Sequence, residues 1–250
     1  MHPPAYPEIA AMQGLDYISL AEMDEVKLLN RTDTKFVFKR SLLNEILPLL
    51  AEDYRVLNVE GNIISRYQTL YFDTDEYKFY LDHHNQKGNR FKVRMRKYVE
   101  SELFFLEIKN KFKGRTDKKR IMIDDFEMDM KKKSKTFVDE VLGVELDLKS
   151  KLWNSFGRIT LVNKKEKERL TLDLDLTFEW DDQKHVYDHV VIAELKQENV
   201  NRNSLFYRLM KKNGVRPTGM SKYCIGALTL EPTLKYNNFK RKKLLINKLK

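Results

Sequence analysis

The chemically richest stretch of this chain places a cation at every second position. Arg90, Lys92, Arg94, Arg96 and Tyr98 alternate with Phe91, Val93 and Met95, the period of a strand with one apolar face and one cationic face. Residues 103–111 repeat the alternation, with Phe104, Leu106 and Ile108 on one side and Glu107, Lys109 and Lys111 on the other. A two-residue turn at Glu100 and Ser101 sets Arg94 opposite Glu107, Lys92 opposite Lys109 and Arg90 opposite Lys111. Directly opposed like charges destabilise a strand pair. One basic strand would read as a solvated face with snorkelling side chains; two adjacent ones with a carboxylate among them point to a bound polyanion.

Guanidinium forks and compact ammonium groups suit phosphate oxygens. The carboxylates on charged strands, Asp33, Glu107, Asp173, Asp175 and Glu194, are the hard oxygen ligands that hold Mg²⁺ or Mn²⁺ beside substrate phosphates. Such an ion would neutralise charge developing in phosphoryl transfer. For Asp175 and Glu179 a simple ion pair with a neighbouring cation is the preferred reading; for Glu194, two residues before Lys196, the two readings balance. Other chemistries drop out. The nine glycines form no Walker-type loop, and the five histidines form no HExxH pattern, His83-His84 reading as surface. Cys224, the only cysteine, excludes an intrachain disulfide and a cysteine zinc site, and reads as a core residue.

The elements that must position these groups follow from the rest of the pattern. With 250 residues, 42% of them hydrophobic, the chain can bury one large core. Residues 1–18, with Pro3, Pro4 and Pro7, read as an extended lead-in, residues 19–230 as a single domain, and residues 231–250 as a flexible basic tail. The tail holds seven Lys/Arg against Glu231 alone, so of the formal charge of +10 the body carries about +4. That argues for charge gathered in one place and against a general nucleic-acid coat. No stretch is long and apolar enough to span a bilayer, and the expectation is a soluble, cytoplasmic protein.

Ser19 and Glu22 have capping-box spacing before Leu20, Met23, Val26 and Leu28. Arg31, Asp33, Lys35 and Lys39 share a strand face; Ser41 caps a helix that Pro48 should end or kink; Asp73 or Thr74 caps a turn holding Tyr77, Phe79 and Tyr80. Residues 118–124 form a strand whose inward parity among Lys118, Lys119 and Arg120 is open. Leu170, Leu172, Leu174, Leu176 and Phe178 point into one core, with Arg169 and Asp173 on the opposite face. Glu194 and Lys196 close an apolar strand, and helices are expected from Ser134 to Gly143 and from Asn203 or Ser204 to Gly214. About eight strands with charged faces, joined by short helices, fit an α+β fold: an eight-stranded antiparallel β-barrel tunnel with flanking short helices and a charged lumen.

Seven short motifs, in order, carry a resemblance. Arg31-x-Asp-x-Lys35-Phe, Thr69-Leu-Tyr-Phe-Asp-Thr74, Lys92-x-Arg-x-Arg-x-Tyr98, Leu106-Glu-Ile-Lys109, Arg169-x-Thr-x-Asp173, Glu194-Leu-Lys196 and Ser221-Lys-Tyr223 resemble the VTC (vacuolar transporter chaperone) polyphosphate polymerase domain, a triphosphate tunnel metalloenzyme of the CYTH-like superfamily. The likeness spans roughly residues 20–230. It implies a tunnel that binds ATP or another nucleoside triphosphate together with inorganic polyphosphate or triphosphate. A divalent cation, Mn²⁺ or Mg²⁺, would assist transfer of the terminal phosphoryl of ATP to a growing chain. A tunnel triphosphatase and a non-catalytic polyphosphate- or nucleotide-binding module are the other readings.

Pattern and resemblance together nominate Arg94, Arg96, Lys109 and Lys196 as catalytic; Lys35, Lys92, Lys119, Lys164, Arg169 and Lys222 as phosphate-binding; and Glu194, Asp33, Glu107 and Asp173 as metal ligands. Two departures stand out. The Glu-x-Glu-x-Lys pattern of the wider superfamily is Arg31-Thr-Asp33-Thr-Lys35, one carboxylate short, and the Tyr-x-Arg before the Arg-x-Thr-x-Asp strand is read at Val162-Asn-Lys164.

Overall fold

The computed structural model describes residues 6–25, 31–113 and 115–250; Val26 and Leu28 of the expected first amphipathic helix, Pro3 and Pro4 of the lead-in, and Gly114 lie outside them. The elements in chain order are α1 (Glu8–Ala11), β1 (Asp16–Ile18), α2 (Leu20–Glu25), β2 (Thr32–Lys39), a 3₁₀ turn (Arg40–Leu42), α3 (Leu43–Leu50), β3 (Tyr54–Leu57), β4 (Ser65–Asp73), α4 (Lys78–His84), β5 (Asn89–Tyr98), β6 (Leu103–Phe112) and β7 (Arg115–Ile123). They continue with α5 (Lys132–Leu142), β8 (Lys149–Asn163), β9 (Glu168–Trp180), β10 (Gln183–Tyr187), β11 (Val190–Gln197), α6 (Leu205–Lys212), α7 (Lys222–Leu230), a second 3₁₀ turn (Asn237–Phe239) and α8 (Lys240–Lys248).

Eight of the strands form one antiparallel path, β2-β11-β9-β8-β4-β5-β6-β7. β3 and β1 extend it beside the end of β8, and β10 folds back on β9. The path is strongly curled. Glu194 on β11 stabilises the charge of Lys109 on β6, and Lys35 on β2 repels Lys92 on β5. In a flat sheet β11 and β6 would lie about 24 Å apart, five strand spacings, too far for such coupling. The two end strands, β2 and β7, share no ladder among the described residues; the eight strands curl into a half-barrel, the antiparallel tunnel architecture expected of this α+β fold.

Parity decides which side chains meet inside the curl. On the convex side of one wall, Phe36, Phe38, Leu170, Leu172, Leu174, Val191, Ala193 and Leu195 pack under α3 and α6; on the other, Leu70, Val93, Met95, Leu106 and Ile108 pack against Val138 of α5. Each fully buried aliphatic or aromatic side chain contributes roughly 1.5–3 kcal/mol, so register is strongly specified on both walls. Part of the concave side is apolar too. Val37, Ile192, Phe156, Leu176 and Phe178 pack with Tyr223, Cys224, Ala227 and Leu228 of α7, which closes one end of the curl.

β9 departs from the expected single apolar face. Asp175 adopts a left-handed backbone conformation (φ 51°), and the β8–β9 register shifts between Ser155 and Gly157, a bulge that adds one residue to β9. Leu170, Leu172 and Leu174 therefore face the outer core, whereas Leu176 and Phe178 turn into the concave one.

Of the local signals elsewhere, Ser41 does not cap the helix, because it lies inside the 3₁₀ turn and α3 begins after Leu42 with no side-chain cap; the others hold. Ser19 and Glu22 form the reciprocal capping box, Gly143 ends α5 in a left-handed conformation, and Asp73 accepts from the Phe79 and Tyr80 amides while Thr74 accepts from Lys78. Pro48 sits inside α3, which runs on to Leu50. Both ends of the chain are more structured than an extended lead-in and a flexible tail. Residues 6–18 contain α1 and β1, and residues 231–250 form the second 3₁₀ turn and α8. Phe239 and Ile246 anchor the latter in the α7 core, burial that overrides its repelling charges.

Candidate functional site

The hairpin predicted from alternation has the predicted register: Arg90 faces Lys111, Lys92 faces Lys109 and Arg94 faces Glu107. All six point into the curl, because Val93, Met95, Leu106 and Ile108 of the opposite parity are in the outer core. Glu107 is fully buried and organises its neighbours. Arg94 donates to it through Nε at 2.8 Å and Nη2 at 2.5 Å, and Lys118 from β7 donates to its other oxygen at 2.8 Å. Burial opposes the Glu107 charge, but Arg94, Arg96 and Lys118 hold its carboxyl far below the usual range.

Arg96 makes no ion pair with a carboxylate among the described residues. It donates to Thr69 at 3.2 Å and lies over the rings of Tyr67 (5.2 Å) and Phe156 (5.6 Å), which stack at 5.0 Å with an interplanar angle of 1°. Arg158 of β8 covers the same rings at 5.0 and 5.3 Å, and the Lys222 ammonium sits 4.3 Å from the Phe156 centroid. The aromatic pair thus fixes three cations through their attraction to ring faces. Asp173 fixes two of them from the other side: Arg158 donates at 2.5 and 2.9 Å, and Lys222 also donates to it. Burial pushes the Lys222 ammonium down to about 8, with Arg158 and Lys35 adding to the depression and Asp173 opposing it.

On the facing strands, Glu194 lies 2.5 Å from Lys196 and 3.6 Å from Lys35; Lys196 also lies 3.7 Å from Asp33. Burial favours the neutral acid at Glu194, and Lys35 and Lys196 outweigh it, holding the group ionised well below the carboxylate range. Arg169 stands opposite Lys196 in the ladder; its Nε is buried without a hydrogen-bond partner. Lys92 and Lys109 make no ion pair among the described residues. Burial pushes Lys92 down to about 8, and Arg94 together with burial holds Lys109 well below the usual lysine value.

Of the nominated residues, Lys35, Lys92, Arg94, Arg96, Lys109, Arg169, Lys196 and Lys222 share this concave surface with Asp33, Glu107, Asp173 and Glu194. Two do not belong to it. Lys119 pairs with Ile108, so it projects from the opposite face; Lys118 and Arg120, paired with Lys109 and Glu107, are the inward cations of β7. Lys164 lies in the turn beyond β8, 2.7 Å from Asp16 and donating to the Ala51 carbonyl. The aromatic-x-Arg spacing read at Val162-Asn-Lys164 is met instead by Phe156-Gly-Arg158, a signal visible in the sequence but passed over. Asp175 and Glu179 pair with Arg40 and Lys184, as the simpler reading had it.

The four nominated metal ligands do not form one centre, and among the described residues no three His, Cys, Asp or Glu side chains cluster as a metal site. Both oxygens of Glu107 and both of Asp173 accept hydrogen bonds from cations, so these two carboxylates position arginines and lysines. The oxygens of Asp33 and Glu194 also lie beside cations: Arg31 and Lys196 for the first, Lys35 and Lys196 for the second. They approach the same Lys196 ammonium from two strands, and Mg²⁺ or Mn²⁺ ordinarily takes one or two carboxylates and fills its remaining positions with phosphate oxygens and water.

Comparison with known proteins places this surface in a family. Residues 30–231 match the VTC domain. The chain is a member of the VTC domain family. Two solved structures share its triphosphate-tunnel fold. One is a candidate adenylate cyclase from Bacillus halodurans (TM-score 0.51, 12% identity, 77% of this chain and 94% of that one). The other is a candidate adenylyl cyclase from Hippeastrum with a dominant triphosphatase activity (TM-score 0.53, 16% identity, 78% and 93%). No curated protein matches the chain. Among the described residues no helix of this VTC-family chain is long and apolar enough to cross a membrane.

Proposed function

We propose that this VTC-family protein is a polyphosphate polymerase-like phosphotransferase that moves the terminal phosphoryl of ATP onto a polyphosphate chain. The observation that carries the reading is the convergence of Arg94, Arg96, Arg158, Lys109, Lys196 and Lys222 on one concave surface where carboxylates and an aromatic pair hold the cations in place. A terminal oxygen of the acceptor chain attacks the γ-phosphorus. The bond to the β–γ bridging oxygen breaks, and ADP leaves with that oxygen. Phosphoryl transfer is catalysed chiefly by positioning and by fixed charge around the equatorial oxygens. Arg94 and Arg96 supply such charge from one wall, Arg158 and Lys222 from the other, and their carboxylate and aromatic partners hold them in place against mutual repulsion. Asp33 and Glu194 would hold Mn²⁺ or Mg²⁺, which when bound neutralises phosphate charge.

The test follows polymer and free phosphate together after incubation with ATP and Mn²⁺ or Mg²⁺. Long chains on a urea gel are expected, with loss of at least about 100-fold in Arg94→Ala or Glu194→Ala. Phosphate release without polymer would replace this reading by a triphosphatase, the activity of the Hippeastrum relative. Binding without turnover would leave a polyphosphate- or nucleotide-binding module.

A further inference from the structure

The family match ends at residue 231. α8 lies beyond it and brings charge back to the curl. Phe239 and Ile246 occupy its apolar side, and Asn238 fastens it to α4, donating its side-chain amide to the His84 carbonyl at 2.8 Å and its backbone amide to His84 Nε2 at 3.2 Å. The Phe239 ring lies 5.9 Å from the His83 ring and 5.2 Å from the Lys242 ammonium, so Lys242 is carried up to α4 where β5 begins.

There the inward face of the hairpin is at its most basic. Arg90 stands opposite Lys111, and Lys92 is next along β5. Arg90, Lys92, Lys111 and Lys242 all act on His83, each opposing its protonation, and none of the four makes an ion pair among the described residues. His83 Nδ1 is buried without a hydrogen-bond partner. These charges cannot spread apart: the hairpin register fixes three of them, and the packing of Phe239 and Ile246 fixes the fourth. In the neighbouring site Arg94, Arg158, Lys196 and Lys222 each have a carboxylate partner. Here there is none, and the group that balances such an arrangement is an anion.

We propose that α8 completes a second anion site, formed by His83, Arg90, Lys92, Lys111 and Lys242, which takes a phosphate group of a chain too long to be held by the central site alone. The proposal rests on the phosphate-binding reading of the concave surface and is independent of turnover. It extends the path of a bound chain from Arg94 and Lys109 through Lys92 toward the C-terminal helix.

The experiment measures binding of inorganic triphosphate and of long-chain polyphosphate to the full chain by calorimetry, without ATP. In an Arg90→Ala/Lys242→Ala variant with an unaltered thermal melt, triphosphate affinity stays within about twofold and long-chain affinity falls about tenfold. Equal losses for both ligands, or no loss for either, overturn the second site. Should the double variant melt early, Lys242→Gln is read instead, through the salt dependence of long-chain binding. A slope shallower by about one charge supports the site and an unchanged slope refutes it. Arg94→Ala separates the two levels: if it leaves triphosphate binding intact, the central-site reading fails, whatever the Arg90 and Lys242 variants do.

Discussion

The two walls of the curl use the same residue types and balance them differently. On the β2, β11, β9 and β8 wall, Glu194 is shared by Lys35 and Lys196, and Asp173 by Arg158 and Lys222. On the β5, β6 and β7 wall a single carboxylate, Glu107, serves Arg94 and Lys118 and leaves Lys92 and Lys109 to repel their neighbours. The first wall is assembled before any ligand arrives. Under the proposed function the second is completed by a phosphate ligand, whose affinity would be drawn largely from charge the empty protein holds at a cost.

The largest effect is expected at the pivot of the second wall. Glu107→Ala leaves Arg94 and Lys118 without their shared partner, and urea denaturation should register a loss of about 3–5 kcal/mol. A near-native midpoint would mean that Glu107 does not balance that wall. The next pair should differ in sign. Asp173→Asn unbalances Arg158 and Lys222 and lowers stability by about 2 kcal/mol. Lys109→Met removes a repelled ammonium, raises stability by about 1 kcal/mol and weakens triphosphate binding about tenfold. Two losses of stability would erase the distinction between the walls.

pH sharpens the contrast. Lys92 and Lys222 titrate near 8 in the fold against 10.5 ordinarily. Between those values the unfolded chain binds protons that the native state does not, so the empty protein gains stability as pH rises through that window. Triphosphate needs the protonated ammonium groups, so its binding weakens over the same window. Thermal melts with and without triphosphate should therefore converge as pH rises from about 7 to about 9. A ligand-induced shift that stays constant would remove Lys92 and Lys222 from the phosphate contacts. The smallest effects belong to Lys119→Ala and Lys164→Ala, each within about 0.5 kcal/mol in stability and unchanged in triphosphate affinity.

The hairpin was legible because alternation and a two-residue turn together fix parity, and one wrong register would have turned its apolar residues to water. β7 was not, since nothing in the sequence between β6 and β7 fixes the parity with which β7 starts; its ladder with β6 turns Lys118 and Arg120 inward and Lys119 outward. Arg158 opens the strand read at 158–162, and its value appears only when Asp173 and the Tyr67–Phe156 pair are brought beside it. α8 looked like a solvated basic tail because its two anchors, Phe239 and Ile246, are few among many lysines, and the groove that receives them is built by α4 and α7. The carboxylates were the ambiguous class throughout. Their spacing allowed both metal and ion pair, and only the third dimension shows which cations each carboxylate meets: Arg94 and Lys118 at Glu107, Arg158 and Lys222 at Asp173, Lys35 and Lys196 at Glu194.

The bulge at Asp175 makes one continuous strand serve two compartments, a wet one lined by Arg169 and Asp173 and a dry one filled by Leu176 and Phe178. The boundary between them is set by where a single extra residue is inserted, not by any partition of the chain. Sliding that insertion two positions along β9 would lengthen or shorten the aqueous chamber by one layer of side chains, a change of ligand capacity reachable without altering the order of the strands.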